Sequence, residues 1–302
     1  MRIRIGAHVL LLMLAVTGSS VRAESPQWII PINSSFRVGY LYGSQVVSTS
    51  SDYGSQVVSS SSDPYYNYDV LLDISFGSPV LSCTIELSPI SPLTVRIIGD
   101  VSVYGQQNTI YGPWWAPTSW TPDGLYSEAR PGFAGVEAAG LFDIWRSAGH
   151  RFGVIGGWRR EYWWYNNQGT GAENPDVWSR DKITTNIPFL GLQAAMAYPG
   201  WQSTFEFLTS RFISKTINGS VRQLQDFAEY HCIARNGVLL EARIQGMANI
   251  TNSLLVGLFG RFTYQNVSGV FDAFTNSSVK HSQDVHVVEN TLTLELQLTL
   301  FF

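Results

Sequence analysis

The last twelve residues constrain the chain more than any other segment: Thr291 to Phe302 reads TLTLELQLTLFF. Leu292, Leu294, Leu296, Leu298, Leu300 and Phe302 fall on one side of an extended backbone. Thr291, Thr293, Glu295, Gln297 and Thr299 fall on the other. Successive side chains of a strand point to opposite faces, so this period of two predicts a strand with one apolar and one polar face. It is longer than the usual globular strand of about 5–6 residues. A soluble sandwich ending this way would expose two terminal Phe.

Other segments repeat the pattern. Val95, Ile97, Val101 and Val103 share a face opposite Arg96, Asp100 and Ser102. Phe152, Val154 and Trp158 oppose Arg159 and Glu161, and Leu240, Ala242 and Ile244 oppose Glu241, Arg243 and Gln245. Leu254, Val256, Leu258, Phe262 and Tyr264 oppose Arg261, Thr263 and Gln265. The polar faces hold sparse charges among Gly, Ala, Ser and Thr. That suits a narrow barrel interior better than a face meeting bulk water.

Composition narrows the choice. Only 14% of residues are charged and mean hydropathy is +0.02, against about 25% charged in a typical soluble domain. Low charge with 13% aromatics excludes intrinsic disorder. After the N-terminus no run is apolar enough for a spanning helix. A formal net charge of −4 leaves no nucleic-acid footprint, and two Cys exclude a disulfide scaffold. Residues 1–23 read as a signal peptide: Arg2 and Arg4 before an apolar stretch from Val9 to Val16, then a Val21-Arg22-Ala23 cleavage site. No Cys follows the apolar stretch, which argues against a lipoprotein. The mature chain, 24–302, is expected to be a single domain.

Ten strands are predicted, near 36–48, 66–87, 93–105, 133–145, 151–165, 187–198, 201–217, 226–247, 253–267 and 284–302. Tight turns at Ser88–Pro92, Arg146–His150, Tyr198–Gly200 and Ala248–Asn252 alternate with longer loops at 49–65, 106–132, 166–186, 218–225 and 268–283. Short periplasmic turns alternating with long outer loops is the rhythm of an outer-membrane barrel. The first long loop carries an 11-residue tandem repeat over 42–63, YGSQVVSTSSD then YGSQVVSSSSD. Two copies are too few for a solenoid, so a lengthened hairpin loop is expected. Trp145 and Trp201 lie beside tight turns, and Trp158, Trp163 and Trp164 lie toward the opposite strand ends, as two interfacial belts would place them. Trp114, Trp115, Trp120 and Trp178 fall in the long loops.

The strand count, signal peptide and loop rhythm resemble the omptin family of outer-membrane proteases and adhesins, and more distantly outer-membrane proteins of chlamydia-like bacteria. Ile187-Pro-Phe-Leu-Gly-Leu192 is similar to the segment opening the family's sixth strand, and His150-Arg-Phe-Gly-Val-Ile-Gly-Gly-Trp158 to its fifth. The terminal Phe resembles the assembly signal of bacterial outer-membrane barrels. The resemblance implies an all-β, ten-stranded antiparallel transmembrane barrel in the outer membrane. It also implies an active site with two Asp beyond the third strand and Asp-x-His beyond the seventh. This chain has Gly105-Gln-Gln-Asn-Thr-Ile-Tyr-Gly-Pro-Trp-Trp115 and Ser214-Lys-Thr-Ile-Asn-Gly-Ser-Val-Arg-Gln223 there, so no catalytic residue carries over. Asp284-x-His286 has the spacing but shares the face of Leu292. His231 and Glu229 are expected in the lumen as a satisfied interior pair, and His150 has no evident partner. Cys83 and Cys232 are expected on the lipid face. No nucleophile, zinc or phosphate-loop motif occurs, and neither cofactor nor metal is expected.

Three functions follow as expectations. The first is a non-proteolytic barrel whose loop aromatics Trp114, Trp115, Trp120 and Trp178 act in surface binding or adhesion, to a host or glycan ligand. The second is a small cation-preferring porin, from an inward set in which acids outnumber bases: Arg96, Asp100, Glu137, Asp143, Arg159, Glu161, Glu206, Glu241, Arg243, Arg261 and Glu295. The third is an omptin-type endopeptidase with relocated catalytic groups. Expected partners are outer-membrane lipid, with lipopolysaccharide a candidate, and the barrel assembly machinery through the C-terminal strand.

Overall fold

A computed structural model describes residues 32–49, 70–102, 106–111, 125–129, 132–168, 178–223, 226–251, 254–275 and 280–301. Their backbone is strand apart from three two-residue turns. The strands are β1 (Ile32–Thr49), β2 (Val70–Ile90), β3 (Leu93–Ser102), β4 (Gln106–Tyr111), β5 (Leu125–Ala129), β6 (Gly132–Ser147), β7 (His150–Gln168), β8 (Trp178–Tyr198), β9 (Trp201–Gln223), β10 (Asp226–Thr251), β11 (Leu254–Thr275) and β12 (Lys280–Phe301). β3 and β4 pair with successive stretches of β2. β5 and β6 likewise share β7, so these four strands make two staves of the wall. β1 pairs antiparallel with both β2 and β12. The sheet is therefore a closed ten-stranded antiparallel barrel.

The outer face explains the closure. Leu292, Leu294, Leu296 and Leu298 of β12 point outward, as do Phe36, Val38 and Tyr40 of β1 and Leu240 and Ile244 of β10, all exposed. Along β8, outward Leu190 and Leu192 give way to Asn186, Thr184 and Lys182. On β12 the Leu series gives way to Asn290, then His286 and Asp284. An apolar surface of this extent is satisfied by lipid, and in lipid an open sheet edge would leave backbone groups unpaired. β10 has 26 residues, whereas a spanning strand needs about 9–11. The wall therefore continues well beyond the apolar band.

The tight turns lie at one end. Gly149 and Gly200 close two of them with φ of 79° and 89°, the left-handed region that glycine enters without a Cβ penalty. Aromatics gather there. Tyr198 stacks on Trp201 at 5.2 Å, and His150 Nε2 lies 3.2 Å from the Tyr198 hydroxyl, which gives His150 the partner its sequence did not reveal. Toward the other end of β7, Tyr162 and Trp164 are in contact at 5.5 Å.

Three expectations change. First, much of the sequence expected as long loops is strand: β4 and β5 form a hairpin within 106–132, and β8, β9, β11 and β12 extend through parts of the others. Side chains beyond the bilayer have no lipid to exclude them, so the alternation fades while the backbone ladder continues. Trp178 is thus the first residue of β8, paired with Gln168 and Arg222. The first repeat copy likewise lies in β1 as far as Thr49, and the rest of the repeat lies outside the described residues.

Second and third, β9 and β10 each carry a bulge that flips their faces. Asn186 pairs with Ser214 but Leu190 with Thr209, which leaves one extra residue in β9 at Arg211–Phe212. Arg235 pairs with Ser268 but Val238 with Asn266, which leaves one extra in β10, where Asn236 has φ 64°. Cys232 is consequently buried inside the barrel and not on the lipid face. Glu229 and His231 lie outside and not in the lumen, with His231 Nδ1 against Asn218 Oδ1. Cys83 keeps its outward parity, between buried Ser82 and Thr84.

Leu294 is exposed midway along the apolar face of β12. Leu294→Arg is expected to destabilise the folded barrel by about 2–4 kcal/mol, read from denaturant unfolding in lipid vesicles. Asn290→Arg, at the edge of the apolar run, is expected to cost about 1 kcal/mol or less.

Candidate functional site

The inward faces converge on a network of buried charges. β3 supplies Arg96, β6 Glu137, β7 Arg159, β9 Glu206, and β10 both Glu241 and Arg243. The Arg159 guanidinium donates two parallel bonds to Glu241, of 2.6 and 2.7 Å, and a third to Glu137 at 3.0 Å. Arg243 donates to Glu241 at 2.6 Å, to Glu137 at 2.9 Å and to Glu206 at 3.3 Å. Arg96 is held by both oxygens of Glu206 and reaches Glu137 at 3.3 Å. Thr263 donates to Glu241 and Gln193 to Glu206, at 2.8 and 2.9 Å. Planar guanidinium groups fit this role because their fork of donors matches a carboxylate's two oxygens.

Two further groups adjoin the network. Arg37 of β1 pairs with Glu295 at 2.6 Å and approaches Asp100 at 3.7 Å, while Arg261 reaches Asp100 at 3.2 Å. Lys215 pairs with Glu289, and Glu161 links Arg159 to Gln265 at 3.4 Å on each side.

Ten of the residues expected in the lumen, Arg96, Asp100, Glu137, Arg159, Glu161, Glu206, Glu241, Arg243, Arg261 and Glu295, are buried in these ion-pair groups. Asp143 lies near the tight-turn end and pairs with exposed Arg146. Sequence reading missed Arg37, Lys215 and Glu289. Arg37 was legible from its place between Phe36 and Val38, and Glu289 from its parity with Glu295; Lys215 lies past the β9 bulge and was not. With these three, the buried charges among the described residues are six basic and seven acidic. The acidic excess on which cation preference rested shrinks to one charge.

Beyond the network, away from the tight turns, the interior turns apolar. Along β7, Trp163 follows Glu161; along β12, Val287 and Val285 follow Glu289; along β10, Ala234 and Cys232 follow Leu239. Trp163 packs between Phe76 and Phe133, with ring centroids 4.6 and 4.4 Å away. Ile183, Ile187, Ile213 and Ile217 join the same buried cluster.

Of the two regions that the omptin resemblance marks for catalysis, the described residues are strand: Gln106–Tyr111 is β4, and Ser214–Gln223 is part of β9, which turns Lys215 and Ile217 inward. Asp284 and His286 lie on the outer face, His286 in contact with Ser268 at 2.9 Å. Among the described residues no group of three or more His, Cys, Asp or Glu is placed to hold a metal. Trp114, Trp115 and Trp120 lie outside the described residues, between β4 and β5.

No protein-family model matches the chain, and no curated protein resembles it in sequence. Solved structures do resemble it. The outer membrane protease OmpT from Escherichia coli superposes with a TM-score of 0.69 at 12% identity, over 94% of this chain and 99% of that one. The translocator domain of the autotransporter NalP from Neisseria meningitidis gives 0.39 at 7% identity, over 99% and 96%. The transport unit of the autotransporter AIDA-I from Escherichia coli gives 0.36 at 9%, over 98% of each chain. The chain has the omptin-type barrel fold, an outer-membrane β-barrel architecture.

Glu241 accepts from Arg159, Arg243 and Thr263, so Glu241→Ala leaves the three Arg of the network with two carboxylates and one buried positive charge uncompensated. It is expected to cost about 3–5 kcal/mol of stability, measured by unfolding in detergent micelles. Planar-bilayer recordings of the wild-type barrel are expected to show no steady conductance, since ten strands enclose an interior that side chains fill.

Proposed function

We propose that the chain is an integral outer-membrane barrel serving as a sealed, non-proteolytic scaffold whose outer loops bind a surface ligand. The observation that carries this reading is the filling of the lumen. Ion pairs occupy the middle, and the apolar cluster around Trp163 occupies the interior beyond them. A sealed lumen removes the path that a porin needs. In the carboxylates of the network, every acid is engaged by Arg, so none is free to activate a water as a general base must.

The strands support a display role. They rise beyond the apolar band, and β4 and β5, at the end opposite the tight turns, flank in sequence the segment with Trp114, Trp115 and Trp120, which lies outside the described residues. Trp178 opens β8 at that same end. Trp offers a large, rigid contact area and is enriched among interface anchors. Glycans and host-surface proteins are the ligand classes that such aromatics recognise. The apolar outer face takes up lipid, with lipopolysaccharide a candidate neighbour, and the C-terminal strand engages the assembly machinery of a Gram-negative outer membrane.

The test is a Trp114→Ala, Trp115→Ala, Trp120→Ala triple variant displayed on cells. Heat-modifiable migration in the outer-membrane fraction checks that it folds. Binding to host cells or a glycan array is expected to fall by about tenfold or more, in keeping with the loss of hot-spot residues. Binding equal to wild type would overturn the proposal.

A further inference from the structure

Among the described residues, the network leaves a space at the tight-turn end of the lumen. A cavity of about 120 Å³ lies there, room for about four waters or one molecule of a few heavy atoms. Arg37, Arg96, Arg243 and Glu206 line it, each already held in an ion pair. Amides make up much of the remaining lining, among them Gln193, Gln202 and Gln245.

Two charged lining residues stand outside the network: Glu86 at the end of β2 and exposed Arg151 at the start of β7. Neither forms an ion pair among the described residues, although they carry opposite charge and face the same cavity.

We propose that this cavity binds a small zwitterion from the periplasmic side, a molecule the size of a short α-amino acid. The carboxylate accepts from Arg151, the ammonium donates to Glu86, and the Gln193, Gln202 and Gln245 amides line the rest of the cavity. A simple anion would leave Glu86 unmatched and meet its repulsion, and a simple cation would do the same at Arg151. Only a ligand with both charges satisfies both residues. The Arg96–Glu206 pair forms part of the cavity wall.

The experiment is isothermal titration calorimetry on the mature chain refolded in detergent micelles, with L-alanine, acetate and methylammonium as probes. L-alanine is expected to bind, with acetate and methylammonium each at least tenfold weaker. Arg151→Gln and Glu86→Gln remove charges that the network does not use, and each is expected to weaken L-alanine at least tenfold. Heat-modifiable migration checks that both variants fold. Three results would each overturn the proposal: no heat from L-alanine, acetate binding as tightly as L-alanine, or L-alanine affinity unchanged in both charge variants. None of them bears on ligand binding by Trp114, Trp115 and Trp120, which the calorimetric variants leave unchanged.

Discussion

A backbone crossing hydrocarbon must satisfy every N–H and C=O within the protein, and that requirement closes this sheet. The closing seam runs from Asn33↔Phe301 to Thr49↔Val285, nearly the full length of β1 and β12. It places the Leu-rich strand at the end of the chain between two partners, β1 and β11, and not at an edge. Once the sheet is closed, alternation along a strand means inside and outside. The scarcity of charge then follows, because one side of each strand meets lipid and the other meets a narrow interior.

That interior sets the second constraint. Ten staves leave little more room than side chains fill, and a charge placed there must be paired or pay a large desolvation cost. The barrel answers with sharing. Glu137 accepts from Arg96, Arg159 and Arg243, which come from three separate strands. Buried ion pairs are weak evidence of net stability, and specifying one arrangement is their better-attested use. Register is what such sharing specifies here. A one-residue slip of β10 would turn Leu240 and Ala242 into the network and Glu241 and Arg243 into lipid.

Where lipid lies outside, the sequence was readable. The Leu series of β12, the Phe36–Val38–Tyr40 series of β1 and the polar sets of β3, β7 and β10 all gave their faces by period, and with them the strand count. Legibility failed where the bilayer stops acting. Asn218, Gly219 and Ser220 continue β9 past the expected strand end at 217, and nothing in their hydropathy marks them as strand. Bulges also have no signature in a hydropathy period. Counting by twos from Glu206 sends Lys215 outward, and counting from Glu241 sends Cys232 outward, yet both are fully buried. Of the proposed ligand-binding aromatics, only Trp178 lies within the described backbone. Sequence placed the loop Trp by elimination from the belts, and what they bind depends on the ligand and not on the barrel.

The two bulges have a physical reason to be where they are. Toward the tight turns, β9 and β10 need apolar residues outside and polar ones inside: Phe205 and Phe207 against Glu206, Leu240 and Ile244 against Glu241 and Arg243. Past the apolar band the surroundings invert. Water lies outside, and the interior holds the cluster of Trp163, Ile213, Ile217, Ala234 and Cys232. A strand of strict alternation could make this change only by exchanging its whole residue pattern. One extra residue in each strand exchanges the faces instead, and the neighbouring strands keep their register because both insertions fall at adjoining positions. The left-handed backbone at Asn236 and the consecutive exposed residues Arg211 and Phe212 are therefore the points where a lipid-facing wall becomes a water-facing one.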